Sequence, residues 1–251
     1  MTSWDLPAGS GDSWADDYER ARPGWPAEVV DVPGLSPDAT VLDLGAGTGK
    51  LTRVLMRAFA RVIAVEPADA MRRLLERVVP EAETRAGTAQ GIPLADESVD
   101  AVFIAQALHR FADDRAVSEI ARVLRPAGAL VMLWNVPVGE WEPSAAAAEE
   151  LLRQLTPPVD YVALDLGGPG NSLEVFAEGA FEPLQEVRLP NPQQLDRDAL
   201  VSFYASMGWV GDLPDGDRLP LLESVRERLD ADKYCRAWEA EVYWTRLRPV
   251  Q

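Results

Sequence analysis

Val41-Leu42-Asp43-Leu44-Gly45-Ala46-Gly47-Thr48-Gly49-Lys50 reads as a strand that runs into a glycine turn and then a helix. Thr40 to Leu44 is a short apolar run, and Leu51, Val54, Leu55 and Ala58 follow at helical spacing. Three glycines at alternate positions let the backbone turn sharply and approach a ligand without Cβ interference, while helix N-terminal amides face the gap. That chemistry suits a nucleoside-like ligand. Two phosphate loops are excluded by spelling. A dinucleotide fingerprint starting at Gly45 needs glycine where Lys50 stands, and a P-loop ending at Gly49-Lys50 needs glycine at Leu44 and a hydroxyl at Leu51. What remains is an acid, Asp43, followed by G-x-G-x-G. Its carboxylate can accept hydrogen bonds from turn amides or from a ligand ammonium.

Downstream the alternation continues. Arg61 to Val65 is a strand, and the helix after it carries Met71, Leu74, Leu75 and Val78 until Pro80 stops it. A weak strand follows at Glu83 to Ala86. Strands at Val99 to Ala105 and Gly128 to Trp134 flank a helical stripe of Val117, Ile120, Ala121 and Leu124. Nearly continuous apolar strands alternating with amphipathic helices predict a parallel α/β sheet covered on both faces, and right-handed crossovers make it doubly wound. Glu66 closes the second strand, where a carboxylate can take both hydroxyls of a ribose.

The flanks are less regular. The first dozen residues read as a loose tail, Ser13 as the N-cap of a short helix with Trp14 and Tyr18 on one face, and Pro26 as the opening of another through Val29 and Val30. Beyond Asn135 the sequence predicts a helix over Ser144 to Leu155, a loop over Pro157 to Asn171, a short helix over Ser172 to Phe176 and a strand over Phe181 to Leu189. Leu200, Phe203, Tyr204 and Met207 stripe a helix ended by Gly208, Leu221, Leu222, Val225 and Leu229 stripe another, and Trp238 to Leu247 is a closing strand.

Composition narrows the function. The 251 residues include 47% hydrophobic and 26% charged side chains, ordinary for a globular chain that buries a core. A net charge of −17 repels phosphate backbones and argues against nucleic acid as substrate. The longest strongly apolar run, Ala129 to Trp134, falls far short of the roughly 20 residues that span a bilayer, so no membrane insertion is expected. Cys235 is the single cysteine, and the acidic start lacks the basic flank of a signal peptide, which together predict a cytoplasmic protein. One histidine and one cysteine assemble no metal site.

The acidic glycine loop and Glu66 resemble the first two motifs of class I S-adenosylmethionine-dependent methyltransferases. Gly87-Thr88-Ala89-Gln90-Gly91-Ile92-Pro93-Leu94-Ala95-Asp96-Glu97-Ser98-Val99-Asp100 resembles the family's adenine loop, although members often carry an acid where Thr88 or Gln90 stands; here either side-chain oxygen can accept from the adenine amino group. Ala105-Gln106-Ala107-Leu108-His109-Arg110-Phe111 and Val123-Leu124-Arg125-Pro126-Ala127-Gly128 resemble the type 11 branch. Tyr18-Glu19-Arg20-Ala21-Arg22-Pro23-Gly24-Trp25-Pro26 and Glu239-Ala240-Glu241-Val242-Tyr243-Trp244 resemble the two ends of such enzymes, so the likeness covers nearly the whole chain. It implies a seven-stranded, mostly parallel Rossmann-like sheet with an antiparallel last strand and a partly helical lid. One domain, 1–251, is then divided into tail and lid helices (1–35), a cofactor-binding core (36–137) and the remaining strands (138–251) with a substrate-side lid (191–232).

The resemblance implies S-adenosyl-L-methionine as cofactor, leaving as S-adenosyl-L-homocysteine, held by Tyr18, Arg22, Asp43, Gly45, Ala46, Gly47, Gly49, Glu66, Pro67, Met71, Thr88, Ala89, Gln90, Ala105 and Gln106. The acceptor is expected to be a small molecule with an oxygen, nitrogen or carboxylate nucleophile, in a pocket lined by Trp25, Trp134, Tyr204 and Trp209. His109, the single histidine, is either a general base or a structural donor beneath the lid. A non-catalytic module that binds the same cofactor and acts through protein contacts is the alternative reading.

Overall fold

The computed structural model describes residues 11–155, 168–176 and 179–249. The first ten residues of the expected tail and most of the expected 157–171 loop lie outside them, and the tail's last residue, Asp12, already opens a helix. Among the described residues eight strands form one sheet: β1 (Thr40–Leu44), β2 (Arg61–Val65), β3 (Glu83–Arg85), β4 (Val99–Ala105), β5 (Leu124–Val138), β6 (Gln185–Pro190), β7 (Gln193–Asp196) and β8 (Lys233–Arg246). The order is β3-β2-β1-β4-β5-β8-β6, with β7 pairing to β8 off that path. The β1–β2, β2–β3, β1–β4 and β4–β5 pairs are parallel, whereas β8 runs antiparallel to β5, β6 and β7. The switch point therefore lies beside β1, where chain order reverses and open α/β sheets place their ligands.

Alternate residues of the strands supply two cores. Leu42, Leu44, Ile63, Val65, Val102, Ile104, Leu130 and Met132 face one way, and Val41, Val62, Ala101, Phe103, Val131 and Leu133 the other. The covering helices are α1 (Asp12–Ala21), α2 (Thr52–Leu55), α3 (Asp69–Val78), α4 (Asp114–Val123), α5 (Pro143–Leu155), α6 (Arg197–Ala205), α7 (Gly208–Gly211) and α8 (Asp215–Arg228). A separate apolar cluster from α5 to α8 and the start of β8 includes Trp141, Leu200, Phe203, Tyr204, Trp209, Val225, Tyr234 and Trp238. Ala21, the last residue of α1, packs into it.

Several expectations need correction. An eighth strand, β7, joins the expected seven; its sequence is hydrophilic apart from Leu195, and only its pairing with Lys233 to Arg236 makes it a strand. β5 and β8 extend past their apolar centres as a ribbon, pairing Trp134–Val138 with Ala237–Glu241. Gly11, not Ser13, occupies the N-cap of α1. The Pro26 segment is a single 3-10 turn, Ala27–Val30. Gly208 opens α7 rather than ending α6, which stops at Ala205. Among the described residues no helix is long and apolar enough to cross a membrane, and no group of metal-ligating side chains gathers.

Candidate active site

A cleft open to solvent lies across the carboxyl ends of β1, β2 and β4. Its floor comes from Gly45, Ala46 and Gly47 after β1, Glu66, Pro67 and Ala68 after β2, Ala105, Gln106 and Ala107 after β4, and Asn135 in β5. Its roof is Trp14 and Tyr18 of α1 and Arg22 just past its end, with Pro23, Trp25 and Trp238.

The glycines earn their places differently. Gly45 has φ +73°, and a Cβ there would stand 2.9 Å from Ala107 Cβ, so only glycine lets the turn after β1 pass the turn after β4. Gly49, at φ +87°, faces away from the cleft: its Cβ would lie 3.1 Å from Leu75 Cγ and Val79 Cγ2. The loop is stitched to β2 because the amides of Gly45 and Ala46 donate to the Val65 carbonyl at 2.8 and 3.1 Å. Glu66 completes the tie. Its two carboxylate oxygens accept from the Gly47 and Ala68 amides, both at 2.8 Å. A carboxylate has about four lone-pair positions, so two remain for a ligand in the cleft.

Burial dominates the electrostatics here. It raises the Glu66 pKa, against the amides of Ala68 and Gly47 and the charges of Arg110 and Arg72. Asp43 is fully buried under the loop, and burial lifts it to about 7; Thr52 opposes the rise and the Glu66 charge adds to it. The Thr52 hydroxyl donates to Asp43 Oδ2 at 2.6 Å, while Oδ1 has no hydrogen-bond partner.

The roof is held by side chains distant in sequence. Arg22 donates from Nε to Ser206 Oγ at 2.8 Å and from Nη2 to the Ser206 carbonyl at 3.1 Å, stacking over Tyr18 and Phe203. The Gly24 carbonyl accepts from Asn135 Nδ2 at 3.1 Å and Asn191 Nδ2 at 2.8 Å, and the Ala21 carbonyl accepts from Gln193 Nε2 at 2.8 Å. Gln106 sits at φ +53°, and its Oε1 accepts from the Asn135 amide at 3.1 Å.

The structure gathers Tyr18, Arg22, Trp25, Gly45, Ala46, Gly47, Glu66, Pro67, Met71, Ala105 and Gln106 around the cleft. It does not bring the others to the wall. Asp43 lies beneath the loop, and Gly49 packs on α3. Ala89 belongs to the sheet core, Thr88 bridges to Gly91, and Gln90 Nε2 donates to Asp113 Oδ2 at 2.8 Å. Trp134 packs edge-on to Tyr243, Tyr204 donates to the Ala145 carbonyl at 3.3 Å, and Trp209 is buried in the α5–α8 cluster; these three are core, not acceptor pocket. His109 is exposed on the 3-10 turn Leu108–Arg110, between cleft residues Ala107 and Arg110 but not itself lining the cleft. The sequence reading missed Trp14, Pro23, Thr48, Lys50, Leu51, Ala68, Ala107, Arg110, Asn135 and Trp238 as lining residues. Thr48 and Lys50 adjoin the glycines and were open to the same argument; Asn135 and Trp238 are set by strand pairing that no local pattern announces.

Comparison with known proteins agrees with this architecture. A family profile described as a methyltransferase domain matches residues 42–132. An uncharacterized methyltransferase of Mycobacterium tuberculosis is 37% identical over 214 residues, spanning 84% of this chain and 82% of the relative. Among solved structures, a type II methyltransferase candidate from Anaeromyxobacter dehalogenans superposes with a TM-score of 0.66 at 23% identity, covering 91% of this chain and 99% of that one. Geranyl diphosphate C-methyltransferase of Streptomyces coelicolor, solved with Mg2+, geranyl diphosphate and S-adenosyl-L-homocysteine, gives 0.51 at 18% identity, covering 88% and 78%. The chain belongs to the methyltransferase-domain family, and the protein is a methyltransferase.

Proposed function

We propose that the methyl donor is S-adenosyl-L-methionine and that the acceptor is a small molecule with an oxygen or nitrogen nucleophile, carboxylates included. The observation that carries this reading is Glu66: a buried carboxylate at the end of β2, fixed by two loop amides, with acceptor capacity left in the cleft. That is the acceptor a ribose diol, which donates two O–H groups, requires. In this reading Glu66 holds the ribose, the Gly45–Gly47 backbone passes close beneath the cofactor, and Pro67, Met71 and Ala107 flank the nucleoside. Arg22 and Tyr18 hold its methionine end. When ionised, Asp43 gives the loop a negative underside suited to a cationic ligand.

When bound, the cofactor supplies a methyl group already activated on a sulfonium. The protein's work is then alignment and exclusion of water, and alignment alone contributes about 7–11 kcal/mol in well-oriented reactions. Trp25, Gln106, Asn135 and Trp238 form the wall where an acceptor would sit. The net charge of −17 favours a small acceptor over a nucleic acid, and the similar solved structure with geranyl diphosphate likewise has a small acceptor. We read the chain as one cytoplasmic domain, with 36–137 as its cofactor core. Calorimetry tests the assignment: S-adenosyl-L-homocysteine should bind, with NAD and ATP weaker by about tenfold or more. Tight NAD binding without a response to S-adenosyl-L-homocysteine would overturn it.

A further inference from the structure

Pro23 deprives α1 of a donor. The Glu19 carbonyl would accept from the amide four residues on, and that residue is a proline without an N–H. Lys50 fills the gap. Its Nζ donates to the Glu19 carbonyl at 2.6 Å and stands 3.7 Å from the Glu19 carboxylate. A cation there also meets the negative end of the helix dipole. The same carboxylate accepts from the Thr48 hydroxyl at 2.6 Å and pairs with Arg53 at 2.7 Å. One residue of α1 thus grips the glycine loop at Thr48, the residue after it at Lys50, and α2 at Arg53.

We propose that Glu19 is a positioning residue of the cofactor site: through Thr48 and Lys50 it joins the glycine loop to α1, so that cofactor loop and roof open and close as one unit. The joint stands on its own contacts, whereas its effect on a ligand rests on the cofactor reading above. Glu19 is not a lining residue, but α1 carries Trp14, Tyr18 and Arg22 to the cleft wall. The joint is shielded, with 13% of the Lys50 side chain and 20% of the Glu19 side chain exposed. Burial lowers the Lys50 ammonium to about 8; Glu19 pulls it up, and Arg53 and Arg22 push it down. Neutralising one partner of such a pair leaves the other charge uncompensated, and removing both relieves it.

Two measurements test the joint. In the ligand-free protein, Glu19→Gln should speed hydrogen exchange at amides of both α1 and the glycine loop. In titrations with S-adenosyl-L-homocysteine it should weaken binding about tenfold near pH 7, the defect shrinking toward about pH 9 as Lys50 becomes neutral. The double variant Glu19→Gln/Lys50→Met should lie closer to wild type than Glu19→Gln alone. If Glu19→Gln does not fold, Thr48→Val against Thr48→Ser carries the same comparison, the hydroxyl-bearing variant keeping wild-type behaviour. Faster exchange in α1 alone, affinity within about twofold of wild type, or a defect equal at every pH and unrelieved in the double variant would overturn the joint. Wild type that fails to bind S-adenosyl-L-homocysteine would sink the cofactor reading instead, and the ligand-free exchange would then decide the joint by itself.

Discussion

Glu66 has two tasks, and a substitution separates them. Glu66→Ala removes the acceptor for two backbone amides and, in the proposed function, for the ribose hydroxyls. We expect S-adenosyl-L-homocysteine binding to weaken by about 1.5–3 kcal/mol, the usual worth of hydrogen bonds to a charged group, and stability to fall by about 1–3 kcal/mol for the stranded amides. Calorimetry and chemical denaturation read these independently; an unchanged dissociation constant would reduce Glu66 to a structural tie. His109 makes the opposite case. Exposed on its turn and not itself lining the cleft, it is poorly placed to take a proton from a bound acceptor. With an acceptor found by screening small hydroxyl, amine and carboxylate compounds against labelled cofactor, His109→Ala should keep turnover within about threefold across roughly pH 6–9. A loss of about 10²–10⁴-fold would reinstate it as the base.

At the scale of elements, the glycine loop is held from two sides, and its glycines should fail differently. Gly49→Ala puts a methyl 3.1 Å from Leu75 and Val79 at a φ of +87°, so it should cost about 1–3 kcal/mol of stability while the folded fraction still binds S-adenosyl-L-homocysteine. Gly45→Ala sets the new methyl against Ala107 in the cleft floor and should lose stability and binding together. Equal binding by the two variants at low temperature would show that the turn after β4 yields. The sequence made β1, β2 and β4 legible residue for residue, because each is an apolar run buried on both faces and bounded by turn residues. Glu66 was legible for the same reason, as the polar residue ending such a run. The roof was not. Arg22 meets Ser206, Gly24 meets Asn135 and Asn191, and Ala21 meets Gln193, contacts made across more than a hundred residues of chain. Tyr204, Trp209 and Trp134 could not be sorted into pocket or core, since an aromatic stripe looks alike in both.

For the whole molecule, the site's buried charges predict how stability responds to pH. With Asp43 lifted to about 7, the native state holds this proton more firmly than the unfolded chain, where an aspartate titrates near 3.9. Its contribution is fully present below about pH 4 and is lost as pH rises through about 7. Lys50 acts in the other direction: lowered to about 8, it favours the fold increasingly as pH rises from there toward about 10.4. Between those windows both groups are charged and buried, so the site is electrostatically least favourable just above neutrality. The net charge of −17 adds a general self-repulsion, but an isosteric variant shares nearly all of it and the difference cancels. Asp43→Asn imitates the protonated acid, keeping an oxygen for the Thr52 hydroxyl and directing an amide toward the place of the unpartnered Oδ1. It should match wild type in denaturant titrations near pH 4 and become the more stable protein by pH 8, by at most about 4 kcal/mol. The same variant should bind the sulfonium S-adenosyl-L-methionine less well while affinity for the uncharged thioether of S-adenosyl-L-homocysteine changes little, because the loop loses the negative charge proposed to favour a cationic ligand. Stability curves that stay parallel from about pH 4 to 8 would mean that Asp43 is ionised throughout, its burial compensated by the loop above it.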